Sequence, residues 1–325
     1  MISLYVVSSD GWQAYQQLPA DLPSVLQSAR LLWLDFESEP AAICEPILRQ
    51  FGFHPLAIDD ALQESHIPKV DDWGAYLYIA LHALQYNPTR GELATEEVDI
   101  FLGTNYIVTH HDAHLPAIEH IRKYWQRDIR ITQISAAHLT YLLADEIING
   151  HMHIFDEMEE TINTLEDGLF APKFDAKLEQ IFTLKRSLLT LRRILGPQRE
   201  TINRLARAPY AVIPESESVY FRDIYDHLVR LYDITESARD LLSSTLDTYL
   251  SVVNNRMNEV MKTLTIITTL FMPLSFLTGF FGMNFFQPYY PLPAWTQLPA
   301  FLLTLTIMLA TPALMFLWMR RRSWM

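Results

Sequence analysis

Thr263-Leu264-Thr265-Ile266-Ile267-Thr268-Thr269-Leu270-Phe271-Met272-Pro273-Leu274-Ser275-Phe276-Leu277-Thr278-Gly279-Phe280-Phe281-Gly282-Met283-Asn284 reads as one apolar helix closed by a polar turn. It opens a longer run, residues 263–319, that contains no Asp, Glu, Lys, Arg or His. A second apolar stretch, residues 298–319, completes that run. Each stretch meets the ~20 residues that a helix needs to cross a bilayer core of ~30 Å. The C-terminal fifth of the chain is therefore predicted as a membrane hairpin, residues 263–325. Gly282-Met283-Asn284 sits at its turn.

The charges at the ends of this hairpin orient it. Lys262 lies before the first stretch and Arg320-Arg321-Arg322 after the second, while the connecting loop has no basic residue. Basic flanks stay on the cytoplasmic side. Both termini are thus expected in the cytoplasm and the loop outside, in an integral protein of the inner or plasma membrane. Tyr289, Tyr290, Trp295, Trp318 and Trp324 are candidate interfacial anchors. The net charge is −13, and the basic hairpin ends leave residues 1–261 more acidic than the whole. An acidic body argues against nucleic acid, which needs a basic footprint. It suits a surface that concentrates cations. Cys44 is the only cysteine, which excludes an intrachain disulfide and fits a reducing compartment. Residues 1–7 lack the basic region and cleavage site of a signal peptide and read as a strand.

No Pro or Gly occurs between Pro214 and Pro273, so one helix is expected from about Pro214 to Phe281. At ~1.5 Å per residue it would be about 100 Å long and extend far beyond the bilayer. One face of it carries Asp247, Leu250, Asn254, Met257, Met261, Leu264, Thr268, Met272, Ser275, Gly279 and Gly282, stepping by three or four. This is close to a heptad seam. Apart from Leu250 and Leu264 its residues are small, polar or Met, whereas Ile266, Ile267, Leu270, Leu274, Phe276 and Leu277 fall largely elsewhere. Two readings of the stripe stand: tight helix packing through small residues, or the wall of a water-filled path. Polar ends at Asp247 and Asn284 point away from lipid.

Ahead of the long helix the chain divides in two. Residues 1–134 read as a mixed α/β domain, with β-rich runs at 4–7, 31–36, 76–84, 98–102 and 106–109. Helical patterns lie at 43–51 and 55–64, and an antiparallel pair flanks Pro88 and Gly91. Residues 135–262 read as a helical stalk. In it, residues 147–169, acidic on one face, and 176–195, rich in Lys and Arg, pair as a hairpin that ends near Gly196-Pro197.

Several segments together resemble the CorA family of magnesium channels. They are Asn258-Glu259-Val260-Met261-Lys262, Leu264-Thr265-Ile266-Ile267, Pro273-Leu274 and Gly282-Met283-Asn284-Phe285. Tyr220-Phe221-Arg222-Asp223-Ile224-Tyr225-Asp226-His227 and Asp59-Asp60 followed by Pro68-Lys69-Val70 join them. The likeness runs over most of the chain from about residue 50. It implies an α+β membrane protein: an N-terminal αβα cytosolic domain, long stalk helices and the two-helix transmembrane hairpin. It also implies a homopentamer in the lipid bilayer, with the first span of each subunit lining the pore. Mg²⁺, and commonly Co²⁺ or Ni²⁺, would enter without ATP, and no organic cofactor is implied. By matching positions, Gly282, Met283 and Asn284 would form the selectivity filter. Asp247, Met261, Leu264 and Met272 would be pore or gate positions, joined by Leu250, Met257, Thr268, Ser275 and Gly279 of the stripe. Asp60, with Asp59 beside it, and Asp223 of an adjacent subunit would bind a regulatory Mg²⁺.

The sequence departs from the family in its loop, where residues 285–297 hold no acid, and near Asn149-Gly150, where members carry acids for a second regulatory ion. The 11 His residues keep a zinc-transporting branch, ZntB-like and possibly proton-coupled in type, as the alternative. That branch departs from Gly-Met-Asn at the middle residue, so Met283 counts against it. His110-His111-Asp112-Ala113-His114 is a candidate transition-metal cluster or an ordinary strand end. His151 and His153 would face different sides of a helix. A third class, an anchored signalling or enzymatic domain, lacks any nucleophile, phosphate loop or metal-hydrolase motif in the sequence. The chain is thus expected not to be an enzyme.

Overall fold

The computed structural model describes residues 1–8, 11–15, 18–19, 21–63, 67–127, 133–168, 178–283 and 297–322. These fall into two compact units, Met1–Asp247 and Thr248–Met325.

The first unit is built on a seven-stranded sheet. Its strands are β1 (Ile2–Ser8), β2 (Gly11–Tyr15), β3 (Leu31–Glu37), β4 (Lys69–Asp72), β5 (Leu77–Asn87), β6 (Glu92–Leu102) and β7 (Tyr106–His111). Their order is β2-β1-β3-β7-β6-β5-β4. Only β3 and β7 pair in parallel; β5 and β6 form the long antiparallel pair expected around the Pro88 turn. Alternation along each strand sends side chains to two apolar layers. Leu4, Val6, Leu32, Leu34, Phe36, Tyr78, Ala80, Phe101 and Val108 face one. There they pack on helices α1 (Leu22–Ser28), α2 (Ala41–Gln50) and α3 (Pro55–Leu62).

Tyr5, Val7, Leu31, Trp33, Ile79, Leu81, Ile100 and Ile107 face the other layer. It is covered by α4 (Pro116–Arg127), α5 (Ala136–Gly168), α6 (Leu178–Arg207) and the first part of α7 (Glu215–Phe281). This is the αβα arrangement. α7 docks through Phe221, Ile224, Leu228, Leu231, Thr235, Ala238, Leu242 and Thr245, all buried and three or four apart. That spacing is the apolar stripe of a helix packed on a core.

Two helices differ from expectation. α5 begins at Ala136, because Ala136, Leu139, Thr140 and Leu143 already carry the buried periodicity. α6 does not stop at Gly196-Pro197 but continues to Arg207. Proline removes one helical donor, yet the turns beyond it bury Gln198, Thr201, Ile202 and Leu205. Gln198 also anchors its helix to the sheet: its Oε1 accepts from the His82 backbone N–H at 3.1 Å and its Nε2 donates to the His82 carbonyl at 3.4 Å. Tertiary burial overrides the local break.

The second unit holds the end of α7 and α8 (Leu298–Arg321). Both are long and apolar enough to cross a membrane.

Candidate functional site

In the second unit, the half-buried positions of α7 include Ile266, Thr269, Leu270, Pro273, Leu274 and Leu277. A groove lined by Met272, Pro273, Phe276 and Leu277 with Ile307 and Thr311 of α8 marks where the two helices meet. At about 3.6 residues per turn, the half-buried positions centre on the side of α7 opposite Leu264, Thr268, Met272, Ser275, Gly279 and Gly282. The chain's own second span therefore leaves the sequence-predicted stripe uncovered except at its margin, where Met272 borders the groove. Leu250, Met257, Met261, Leu264 and Met272 are exposed, as is Asp247 at the inner end.

The hydroxyls on this stripe bond back to their own helix. Thr268 Oγ1 donates to the Leu264 carbonyl at 2.9 Å, and Ser275 Oγ to the Phe271 carbonyl at 3.1 Å. This uses the one donor of each group. Each oxygen keeps its lone pairs as acceptors. Pro273 removes the donor that the Thr269 carbonyl would otherwise receive. A Cβ on Gly279 would meet nothing within 4 Å, so its own chain does not require a glycine there. At Gly282 a Cβ would stand 2.9 Å from the Thr278 carbonyl oxygen. The Gly282 N–H donates to that same oxygen at 2.9 Å, ending the helix. Met283 follows, exposed. Asn284, Tyr289, Tyr290, Trp295 and Trp324 lie outside the described residues.

The candidate regulatory carboxylates are in the first unit. Asp59 and Asp60 are adjacent on α3. Asp59 Oδ1 accepts from Gln63 Nε2 at 2.5 Å. Asp60 Oδ2 lies 2.5 Å from Lys69 Nζ, which also approaches Asp71 Oδ2 at 3.3 Å and sits over the Tyr78 ring. Burial alone would pull the Lys69 amine down, but the hydrogen bond to Asp60 and the Asp71 charge outweigh it and raise its pKa. Asp223 is exposed on α7. Its charge reaches Asp145 of α5, whose carboxyl is pushed up first by burial and then by Asp223 and Glu146, against His227 and Asn149. Among the described residues, no hydrogen bond or ion pair joins Asp60 to Asp223. Lys69, which contacts Asp60, and Asp145, which feels the charge of Asp223, are the neighbours that the sequence did not show. Both are brought there by the fold.

The histidine run does not form one cluster. His110 and His111 are consecutive on β7 and turn to opposite faces. His110 faces Asp99 at 3.5 Å, in a buried chain that continues to the Tyr78 hydroxyl, 2.6 Å from Asp99. Burial pushes Asp99 up to about 7. The Asp99 and Cys44 contacts, against burial, push His110 up to about 10. His111 lies 3.3 Å from Asp35, and Asp35, Glu37 and His111 come close enough to share an ion. The Arg122 guanidinium already bridges Asp35 and Glu37. Burial would raise the Asp35 carboxyl, but hydrogen bonds and charges from His111 and Arg122 hold it below the usual range. An arginine spanning both acids makes this an internal ion network rather than a cation site. His151 is buried, with its ring Nε2 2.9 Å from the His82 carbonyl, while His153 is exposed beside Glu157.

A family profile described as CorA-like Mg²⁺ transporter protein matches residues 28–321. The chain belongs to the CorA family. It is 34% identical over 279 residues to the cobalt/magnesium transport protein CorA of Thermotoga maritima, covering 85% of this chain and 78% of that one. The complete structure of the CorA magnesium transporter from Methanocaldococcus jannaschii covers 100% of this chain and 99% of its own, with a TM-score of 0.82 at 23% identity. The ZntB cytoplasmic domain from Vibrio parahaemolyticus matches 79% of this chain with a TM-score of 0.62 at 14% identity, a likeness of fold alone. As a CorA-family member the chain is a divalent cation transporter of the membrane, and its two apolar helices fit membrane spans in length and composition.

Proposed function

We propose that this CorA-family chain conducts Mg²⁺, with Co²⁺ and Ni²⁺ as secondary cargo, inward through a pore shared by five copies. One observation carries this: the small and polar stripe of α7 lies opposite the face that half-buries toward α8. In lipid an uncovered polar face is unfavourable, so it requires further copies of the chain around a central path. Mg²⁺ dehydrates reluctantly and keeps several waters. Lone pairs from Thr268, Ser275 and Asn284 contact such a hydrated ion without trapping it, and rings of Met261 and Leu264 gate by dewetting. A potential of 100 mV supplies ~4.6 kcal/mol for a divalent ion, from ~2.3 per charge. The basic hairpin ends support cytoplasmic termini. We assign residues 1–134 to the cytosolic α/β domain, 135–262 to the stalk and 263–325 to the membrane.

Regulation follows from charge. Asp60 and Asp223 of neighbouring subunits repel each other until cytosolic Mg²⁺ bridges them and favours the closed state. Uptake of Mg²⁺, Co²⁺, Ni²⁺ and Zn²⁺ into vesicles holding the purified protein tests the proposal. It predicts Mg²⁺ uptake that Asn284→Ala reduces at least about tenfold. Zn²⁺ uptake driven by a pH gradient, with no Mg²⁺ uptake, would instead support a ZntB-like zinc transporter.

A further inference from the structure

We propose that Lys69 is a tethered counter-cation that competes with Mg²⁺ for Asp60 and sets the concentration at which the ion inhibits. This rests on the regulatory reading of Asp60 given above. Lys69 is the first residue of β4, and Asp71 is two residues on, so both project from the same face of the strand. The sheet register places Lys69 opposite Ala80 and Asp71 opposite Tyr78, both on the α3 side. This aims the ammonium between Asp60 of α3 and Asp71, at 2.5 Å and 3.3 Å, with the Tyr78 ring beneath it.

The Lys69 side chain is 30% exposed and that of Asp60 43%, so the pair borders water and a soluble ion can reach it. A Mg²⁺ ion that coordinates Asp60 Oδ2 must take the oxygen that the ammonium holds. Asp59 Oδ1 already accepts from Gln63 Nε2 at 2.5 Å, so Asp60 Oδ2 is the oxygen for which ion and ammonium compete. When Mg²⁺ leaves, the ammonium returns and offsets part of the charge of Asp60 and Asp71. Lys69 is thus a positioning residue that lowers the apparent affinity of the carboxylate and resets it.

The test uses the full-length protein in vesicles loaded with graded Mg²⁺, reading uptake of isotopically labelled Mg²⁺. Lys69→Met should lower the half-inhibitory internal Mg²⁺ about two- to fivefold, the range for releasing a partly exposed ion pair. Uptake at low internal Mg²⁺ should stay unchanged, which separates this effect from misfolding. Lys69→Arg, which keeps the charge, should stay near the unmodified value. So should Lys123→Met, which removes a cation paired elsewhere, with Glu119. If Asp60→Ala abolishes inhibition but Lys69→Met shifts nothing or shifts it upward, the competition is overturned while the regulatory reading stands. If Asp60→Ala leaves inhibition intact, the regulatory reading falls and takes the competition with it.

Discussion

Gln198 grips the backbone of His82 at both ends of its amide, accepting from the N–H and donating to the carbonyl, one residue after the proline that should have ended its helix. This contact ties α6 to β5, next to the strand that presents Lys69. The His82 carbonyl has a second partner in the His151 ring, 2.9 Å away.

Replacing Gln198 with Leu should therefore orphan mainly the buried His82 N–H. An unpaired buried donor costs about 1–3 kcal/mol. Chemical unfolding of the detergent-solubilised chain checks this. Gln198→Glu keeps the acceptor but buries a carboxyl against the His82 carbonyl, so it should lose at least as much as Gln198→Leu.

His151 gives the first unit a pH dependence of known sign. Burial pushes its ring down to about 4, below the ~6.5 of an unfolded histidine. The unfolded chain therefore binds the proton first, and the His151 contribution to stability falls as pH drops from about 6.5 to about 4. At 1.36 kcal/mol per unit, that contribution is on the order of 3 kcal/mol. Asp99, pushed up to about 7, contributes with the opposite sign in the same window. The effect is therefore read as the difference in unfolding between His151→Gln and the unmodified chain, which should shift in favour of the variant as pH falls through that window.

Arg122 should be the most costly single charge to remove from the first unit. Arg122→Met leaves Asp35, fully buried, and Glu37 without their shared cation. Stripping one partner from a buried pair costs about 3–5 kcal/mol. The loss should shrink below about pH 4, where the unfolded chain protonates its carboxyls. Thermal unfolding of Arg122→Met at about pH 7 and at about pH 3 reads both effects.

Gly282→Ala should abolish uptake without preventing membrane insertion, because its methyl would strike the Thr278 carbonyl at 2.9 Å. Gly279→Ala meets no atom of its own chain. Any loss of uptake there would report the approach of another copy. Uptake and assembly size of the two variants distinguish these cases.

Much of this was legible in the sequence. The uncharged run, the long helix without Pro or Gly, and the stripe from Asp247 to Gly282 are local periodicities, and they read directly. Strand β4 was not legible: Lys69–Asp72 is Lys-Val-Asp-Asp, of which only Val70 is buried. Edge strand β2 buries none of its five residues and carries as weak a pattern. The course of α6 beyond Pro197 depends on His82, far away in the chain. The Lys69 contact on Asp60 and the charge of Asp223 felt at Asp145 are likewise products of tertiary packing.

The central claim is that the stripe of α7 faces a watery ion path. Cys44 is the only cysteine and is fully buried, so single cysteines can be introduced against a silent background. Thr268→Cys, Ser275→Cys, Ile267→Cys and Phe276→Cys would each be treated with a membrane-impermeant thiol reagent while Mg²⁺ uptake is recorded. Block is expected at Thr268→Cys and Ser275→Cys, and unchanged uptake at Ile267→Cys and Phe276→Cys. Unmodified stripe cysteines with full uptake, or equal block at all four positions, would contradict the claim.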